Sequence, residues 1–244
     1  MGMNTRLHEL QAAGQAVWLD YIDRAIVTSG ELARRIADDA LTGMTSNPAI
    51  FEKALAQGTL YDSQIAAALA TTPWELFEEI ATDDVRGACD VFRPVYDATH
   101  GADGFVSIEV SPAVAHDTAA TVAEARRIWG RVERPNVMIK VPGTAAGTPA
   151  VRELIALGIN VNITLLFAVN AHRRVIDAYL EGLEARAEAG EDISHVASVA
   201  SFFVSRVDTA IDARLDALAK DGAIDAARAQ SLKGKAAIAN AKLA

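Results

Sequence analysis

The amino-acid sequence predicts an α/β protein built on a parallel β-sheet that is covered by helices. Short apolar runs typical of strands alternate strictly with helical stretches along the chain. The predicted strands are mostly apolar on both faces, which is typical of a parallel sheet with helices on either side. The 244 residues suit one large domain of residues 1–244, and no internal repeat, low-complexity segment or linker interrupts the alternation.

The first half of the chain is predicted to hold two strands, followed by a long helical stretch. Strands are expected at residues 15–22 and 41–47, and helices at 29–39, 49–56 and 60–98. Pro48 keeps Asn47 out of the helical region, so a helix is expected to begin after it. The sequence TPWE at residues 72–75 has the form of a capping box with proline at the first helical position. Pro94 is expected to kink or end this stretch.

In the second half, strands and helices alternate at shorter intervals. Strands are predicted at residues 105–110, 137–141, 159–166 and 196–204, and helices at 111–131, 148–158, 169–189, 207–219 and 225–244. Ser111-Pro112 and Thr148-Pro149 both place a proline at the start of a helix, where its missing N–H is tolerated. The chain is therefore expected to contain six strands.

Composition excludes several classes of function. The formal charge of −9 and the pI near 5.0 argue against nucleic acid or an anionic membrane as the main partner. Cys89 is the single cysteine and the five histidines are scattered without an HExxH-like pair, so we expect no disulfide framework and no Cys-based zinc site. No apolar stretch is long enough to span a bilayer, and the N-terminus lacks the pattern of a signal peptide. A cytoplasmic protein is the default expectation.

Lys140 stands alone within the apolar sequence VMIKVPGT, residues 137–144. Burial disfavours the charged form of a lysine, lowers its pKa and makes the neutral amine available as a nucleophile. A lysine that forms a Schiff base needs this property. Alternatively, Lys140 reaches solvent or protects an edge strand against pairing.

Each of the six predicted strands carries one polar side chain near its carboxyl end. These residues are Asp20, Asn47, Glu109, Lys140, Thr164 and Ser201, and Arg206 lies just beyond the last strand. In a parallel β/α barrel the carboxyl ends of the strands form the active site. Scattered buried polar groups would each carry a desolvation cost, so a converging site is the better interpretation. Individually, Asp20 could instead cap a helix, Glu109 could form a salt bridge, Ser201 could bond to the backbone, and Arg206 could be a surface charge.

These residue types fit one kind of chemistry. The amine of Lys140 can form an imine with a ketone, and the carboxylates of Asp20 and Glu109 can transfer protons. Asn47, Thr164 and Ser201 can hydrogen-bond hydroxyl groups or position a water molecule. The guanidinium of Arg206 suits a phosphate. The Gly/Thr-rich loop at residues 143–148 lacks the Gly-Lys-Ser/Thr of a Walker A loop, and the sequence contains neither GxGxxG nor GxSxG.

Five segments resemble the transaldolase family in sequence and in order, most closely the longer bacterial transaldolases, some of which are fused to a sugar-phosphate isomerase. They are residues 43–51 (GMTSNPAIF), 106–112 (VSIEVSP), 138–144 (MIKVPGT), 160–167 (NVNITLLF) and 201–208 (SFFVSRVD). The resemblance implies a (β/α)8 TIM barrel of the class I aldolase type. It also implies transfer of a dihydroxyacetone unit from a ketose phosphate to an aldose phosphate in the pentose phosphate pathway, without cofactor or metal.

The resemblance also implies a role for each residue. Lys140 resembles the Schiff-base lysine, and Glu109 resembles an acid/base that acts through a water held by Thr164. Asp20 resembles the carboxylate that accepts the proton when the carbon–carbon bond breaks. The remaining residues resemble substrate-binding positions: Asn47 and Ser201 for the dihydroxyacetone hydroxyls, and Arg206 for the phosphate. Phe203 stands where transferases carry phenylalanine and related aldolases favour tyrosine, which favours transfer over simple cleavage.

Members of this type have two further strands, so the resemblance implies that this chain holds about six of eight βα units and is C-terminally truncated. Residues 52–100 would then be a helical insertion between the second and third strands. A six-stranded sheet would expose two edges, where a second copy or a complementing chain could pair. Two alternatives remain: an enzyme like fructose 6-phosphate aldolase, which releases free dihydroxyacetone, and an inactive fragment that associates with a partner.

Overall fold

A computed structural model of the protein describes residues 6–56 and 58–244. Its six strands form one parallel sheet, in which each strand pairs with the preceding strand of the chain. The strands are β1 (Val17–Asp20), β2 (Leu41–Thr45), β3 (Val106–Glu109), β4 (Val137–Pro142), β5 (Val161–Leu166) and β6 (Ser198–Phe202). The predictions of an α/β fold, of a parallel sheet and of six strands are confirmed.

The strands are connected by helices whose starts are set by capping side chains. The helices are α1 (Arg6–Ala12), α2 (Arg24–Thr28), α3 (Glu31–Asp38), α4 (Pro48–Leu55), α5 (Asp62–Ala67), α6 (Pro73–Ala98), α7 (Thr118–Val132), α8 (Gly147–Ala156), α9 (Val169–Glu188), α10 (Ser205–Lys220), α11 (Ala226–Leu232) and α12 (Ala236–Leu243). The predicted capping box at the start of α6 is confirmed, because Thr72 accepts from the amide of Glu75 and Glu75 accepts from the amide of Thr72. Among the described residues, three helices thus lie between β2 and β3.

Several predicted boundaries are wrong. Ser111-Pro112 starts only a short 3-10 helix, Pro112–Val114, and α7 begins later, where the Asp117 carboxylate accepts from the amide of Ala120. Pro94 does not end α6, which runs on to Ala98; the carbonyl deprived of its donor belongs to Asp90, an exposed residue.

Two further differences concern short helices. The helix predicted at residues 225–244 is divided into α11 and α12 by Gly234, whose φ of +66° interrupts helical geometry. Helix α2 was not predicted, although Asp23 caps it by accepting from the amide of Ile26. Helix α1 was not predicted either.

The two faces of β4 separate the core from the site. Val137, Ile139 and Val141 are buried in the main core, which also contains side chains of the covering helices. Met138 and Lys140 alternate with them and therefore face the other side of the sheet. Met138 belongs there to a cluster against which residues of both outer strands pack, Trp18 of β1 and Val199 of β6. Because the outermost strands pack against the same cluster, the sheet is curled like part of a barrel, and Lys140 lies on the concave side.

None of the helices within residues 6–56 and 58–244 is both long enough and apolar enough to cross a membrane.

Candidate active site

Lys140 is buried on the concave side of the sheet, with 7% of its surface exposed. Its Nζ donates a hydrogen bond of 3.1 Å to the backbone carbonyl of Ser46, just after β2. The same Nζ lies 3.6 Å from Oε2 of Glu109. Because β4 is an inner strand and the side chain is enclosed, the alternatives of a solvent-reaching or edge-protecting lysine are both wrong.

Glu109 ends β3 and lies directly beside Lys140 in the parallel register. Burial raises the pKa of the Glu109 carboxyl; the positive charge of Lys140 opposes this shift, and the negative charge of Asp20 adds to it. The turn after β3 is held in place by the buried carboxylate of Glu124, which accepts a hydrogen bond of 2.5 Å from the amide of Ser111. Glu109 is therefore held close to the amine in a setting that favours its protonated form.

Asp20 ends β1, where its carboxylate is exposed. The alternative that Asp20 caps a helix is wrong, because Asp23 is the residue that caps α2. Its charge nevertheless acts on Glu109, since it contributes to the raised pKa of that carboxyl. Three ionisable groups from β1, β3 and β4 thus belong to one electrostatic cluster at the carboxyl ends of the strands.

Asn47 caps α4 with its side-chain oxygen, which accepts from the amide of Ile50 at 3.1 Å. This bond fixes which end of the amide faces the helix and leaves Nδ2 as the group that can donate to a ligand. Asn47 directly follows Ser46, whose carbonyl binds Lys140. The cap therefore leaves an amide donor on the residue that follows the carbonyl bound by Lys140.

Thr164 and Ser201 lie on the next two strands. Thr164 is buried, and it pairs with Pro142 at the end of β4. Ser201 donates from Oγ to Oδ1 of Asn162 at 2.8 Å, and Asn162 donates from Nδ2 to Oγ of Ser107 at 2.9 Å. These bonds connect β6, β5 and β3 across the sheet. The alternative that Ser201 bonds to the backbone is wrong for this hydroxyl.

Three residues of this site were missed in the sequence. Asn162 lies opposite Lys140 in the register of β4 and β5, and Ser107 lies two residues before Glu109 on the same face of β3. Thr45, at the end of β2, has a buried hydroxyl that makes no hydrogen bond within the described residues. The available signal was the same as for the predicted residues, a polar side chain within an apolar strand.

Arg206 and Phe203 follow the end of β6. The guanidinium of Arg206 is exposed and stacks over the ring of Phe203, 4.7 Å from its centroid. Phe203 in turn stacks on Phe167, with centroids 4.9 Å apart. The aromatic pair holds the cation at the surface beyond the strand ends, where a charged group of a ligand could reach it.

The geometry suits proton transfer and imine formation. Among the described residues, no three side chains of His, Cys, Asp or Glu are grouped so that they could hold a metal ion. A cavity of about 540 Å³ lies at the opposite, amino end of the strands, where Gly101, Pro135 and His195 line it. It contains none of the predicted site residues. The candidate site is the open concave surface around Lys140.

The sequence model of one family, Transaldolase/Fructose-6-phosphate aldolase, matches residues 17–244. Transaldolase 2 of Nostoc sp. is 51% identical over 98% of this chain, and Transaldolase 2 of Streptomyces coelicolor is 52% identical over 99%. The transaldolase of Mycolicibacterium smegmatis is 50% identical over 100%. The chain spans 64% of the length of the first two proteins and 65% of the third. It belongs to the transaldolase/fructose-6-phosphate aldolase family.

Proposed function

We propose that this chain carries the Schiff-base site of a transaldolase. The reaction would transfer a dihydroxyacetone unit from sedoheptulose 7-phosphate or fructose 6-phosphate to glyceraldehyde 3-phosphate or erythrose 4-phosphate. The observation that carries the proposal is the buried amine of Lys140, 3.1 Å from the Ser46 carbonyl and 3.6 Å from the Glu109 carboxylate. A buried amine beside a carboxyl of raised pKa is suited to imine formation.

In the proposed mechanism the amine of Lys140 adds to the ketone carbonyl, and the carbinolamine loses water to form an imine. Glu109 supplies and removes the protons through a water held by Thr164. Asp20 then removes the proton of the hydroxyl on the carbon that becomes the aldehyde of the aldose phosphate. The carbon–carbon bond breaks, and its electron pair moves towards the imine nitrogen. The aldose phosphate leaves, and the enamine on Lys140 attacks the aldehyde of the acceptor.

The other site residues bind the substrate in this proposal. Nδ2 of Asn47 and the hydroxyl of Ser201 would hold the hydroxyl groups of the dihydroxyacetone unit, and Arg206 would bind the phosphate. Phe203 supplies no hydroxyl to activate water, which favours transfer over hydrolytic release. The proposed steps use only amine, carboxyl and hydroxyl groups of the chain. Sugar phosphates are charged and cross membranes poorly, so we place the reaction in the cytoplasm.

The proposal is tested by incubating the protein with fructose 6-phosphate and borohydride and measuring the intact mass. We expect a reduced dihydroxyacetone adduct that maps to Lys140. Lys140→Met should remove the adduct, whereas the matched change at an exposed lysine, Lys220→Met, should leave it. A folded protein without the adduct, or with the adduct on another lysine, would overturn the proposal. Product formed without an acceptor aldose would indicate simple aldol cleavage instead of transfer.

We also propose that the sheet edges pair with further strands, supplied by a second copy or by a complementing chain. Within the described residues β1 and β6 each pair with a single strand, and β6 is only half-buried. A cavity of about 110 Å³ opens between β6 and α9, lined in part by Val175, Tyr179 and Val199. Sedimentation velocity tests this: assembly above the monomer mass supports pairing, and a monomer at all concentrations contradicts pairing between copies.

A further inference from the structure

A group of buried polar side chains outside the candidate site joins α2 to α5 and α6. Arg24 donates from Nε to Oδ1 of Asp84 at 2.8 Å, and the hydroxyl of Tyr61 donates to Oδ2 of the same carboxylate at 2.9 Å. The backbone amide of Arg24 donates to the Tyr61 oxygen at 2.9 Å. The guanidinium also lies over the Tyr61 ring, 4.6 Å from its centroid. We call these three residues the Arg24–Tyr61–Asp84 cluster.

Burying this cluster costs desolvation free energy, so a contribution to stability alone does not explain why these three residues are present. Asp84 is 4% exposed and Tyr61 is 2% exposed. Desolvation of an ion pair opposes much of its attraction, so apolar residues of similar size often give equal or greater stability. What such a cluster provides is a fixed geometry, since every polar atom must keep its partner. The cluster is therefore best understood as a device that fixes the position of one part of the chain.

The part of the chain that it fixes is the segment that follows Asp20. Arg24 begins α2 four residues after Asp20, and the intervening Ile22 is fully buried. On its other side, Arg24 donates from Nη2 to the side chain of Gln64, which donates in turn to Asp83. The segment is thus attached at several points to the helices between β2 and β3.

Asp20 needs such support because it is the last residue of a four-residue strand and is exposed. The register of β1 against β2 also shifts between Val17 and Trp18. An exposed carboxylate at the end of a short, irregular strand is held less firmly than the buried side chain of Lys140. The attachment through Arg24 adds a constraint from the helical side.

We propose that the Arg24–Tyr61–Asp84 cluster positions Asp20 for proton transfer when the carbon–carbon bond of the substrate breaks. The inference rests on the proposed function, in which Asp20 accepts that proton. Arg24, Tyr61 and Asp84 touch no reacting atom and are positioning residues. The helices between β2 and β3 then contribute to catalysis, although they supply no catalytic group.

The first test is Tyr61→Phe, which removes one hydroxyl and keeps the ring under the guanidinium. A misplacement of about 1 Å can cost about 100-fold in rate, so we expect the cleavage rate to fall about 10- to 100-fold. Borohydride trapping of the imine that Lys140 forms with added dihydroxyacetone should change by less than about two-fold, because no carbon–carbon bond has to break before that imine forms and Asp20 is therefore not used. The matched control is Tyr96→Phe, at a second buried tyrosine that lies on α6, which should change neither. Equal losses of trapping and cleavage in Tyr61→Phe would mean a general structural role and would overturn the proposal.

The second test separates an effect through Asp20 from an independent one. If Tyr61 acts by positioning Asp20, adding Tyr61→Phe to Asp20→Asn should cause no further loss of cleavage. If the losses multiply, the two residues act independently and the proposal is wrong. Should Tyr61→Phe fail to fold, Arg24→Lys replaces it, since lysine keeps the charge and the stem but lacks the planar fork.

The third test needs no activity. Amide hydrogen exchange should become faster at residues 21–28 in Tyr61→Phe, while β3 and β4 keep their protection. Unchanged exchange at residues 21–28 would overturn the positioning role. If the wild-type protein forms no imine, the proposed function fails at Lys140, whereas the exchange pattern still decides whether the cluster holds the segment after Asp20.

Discussion

At the scale of single residues, Lys140 and Glu109 form a pair whose properties follow from burial. The carboxyl of Glu109 has a raised pKa because ionisation would place a charge in a poorly hydrated site, and Lys140 offsets only part of this effect. A carboxyl of this kind keeps its proton at a pH where an exposed glutamate has lost it. It can therefore give a proton to a carbinolamine and take one back.

Glu109→Gln tests this pair through the pH dependence of imine formation. Because burial raises the pKa of Glu109 above its usual value of 4.5, the inflection of the wild-type rate should lie above pH 4.5. The variant should lose that inflection, and its rate should fall about 100- to 10,000-fold, as is typical when a general acid/base is removed. Trapping the imine with borohydride after fixed reaction times at several pH values measures both the inflection and the rate. The exposed Glu52→Gln serves as control; an inflection that persists in Glu109→Gln would assign it to another group.

Asn47 combines a structural and a binding function in one amide, and two substitutions separate them. Asn47→Asp keeps an oxygen for the Ile50 amide, so its free energy of unfolding should stay within about 0.5 kcal/mol of the wild type, because aspartate caps as well as asparagine. It loses the Nδ2 donor, so KM for fructose 6-phosphate should rise about tenfold. Asn47→Ala should lose about 1 kcal/mol of stability as well. Urea unfolding and steady-state kinetics measure these effects, and an unchanged KM in Asn47→Asp would exclude a donor role.

Which site residues could be predicted depended on how far each lies from an obvious sequence boundary. Lys140 and Glu109 stand near strand ends and were found as polar residues in apolar runs. Asn162 was missed because it lies inside its run, and only the register of β5 against β4 places it opposite Lys140. The Ser46 carbonyl was unpredictable for a related reason. A backbone group becomes a ligand for Lys140 only when the sheet curls and brings β2 towards β4.

At the scale of elements, the contact between β1 and β2 depends on one glycine. Gly43 pairs with Trp18, and the indole ring occupies the space where a side chain at position 43 would lie. The indole Nε1 donates to Asp103 at 2.9 Å, so the ring is held in place and cannot easily move aside. Trp18 therefore fills the concave side of the sheet at the position where Gly43 of β2 has no side chain.

Gly43→Ala should destabilise the protein by about 1–3 kcal/mol, as overpacking of a filled site does. A Cβ at this position would lie 2.4 Å from Cε2 of Trp18. The matched control is Gly130→Ala within α7, where a Cβ would meet nothing within 4 Å; it should stabilise by about 0.5–1 kcal/mol because alanine favours the helix. Urea unfolding compares the two. An equal change in the free energy of unfolding for both substitutions would show that the indole ring of Trp18 moves aside easily.

The elements themselves were largely predictable, whereas their ends were less so. Strands were found because apolar runs and helical patterns alternate clearly. The start of α7 was misplaced because Ser111-Pro112 and Asp117 are both acceptable start signals, and only tertiary packing chooses between them. The break at Gly234 was missed because the surrounding sequence is rich in alanine, which favours a continuous helix.

At the scale of the whole molecule, three buried or half-buried carboxyls have pKa values raised chiefly by desolvation: Asp84, Glu109 and Glu124. For such a group the folded state binds protons more tightly than the unfolded state. Its contribution to stability is present at a pH below the unfolded pKa and is lost as the pH rises through the folded pKa. The ionisation of these three groups therefore lowers the free energy of unfolding as the pH rises.

Asp84→Asn isolates one of these contributions, since asparagine cannot ionise. The difference in free energy of unfolding, wild type minus variant, should decrease as the pH rises above the usual aspartate pKa of 3.8, because only the wild type carries a carboxyl that must ionise in a buried site. Urea unfolding at several pH values measures the difference. Asp62→Asn, at an exposed position of α5, should give a difference that does not decrease in this way. A difference for Asp84→Asn that grows with pH would show that the ion pair with Arg24 outweighs desolvation.

The order of the strands also bears on how the protein is made. Because each strand pairs with its predecessor, the sheet can grow strand by strand as the chain leaves the ribosome. The step from β2 to β3 is the exception, since residues 46–105 must be synthesised before Met44 and Thr45 can pair with Val106 and Ser107. At about 5–20 residues per second this takes several seconds. During that interval β1 and β2 have no third strand to pair with, and the length of the segment between β2 and β3 sets the earliest time at which the rest of the sheet can begin to assemble.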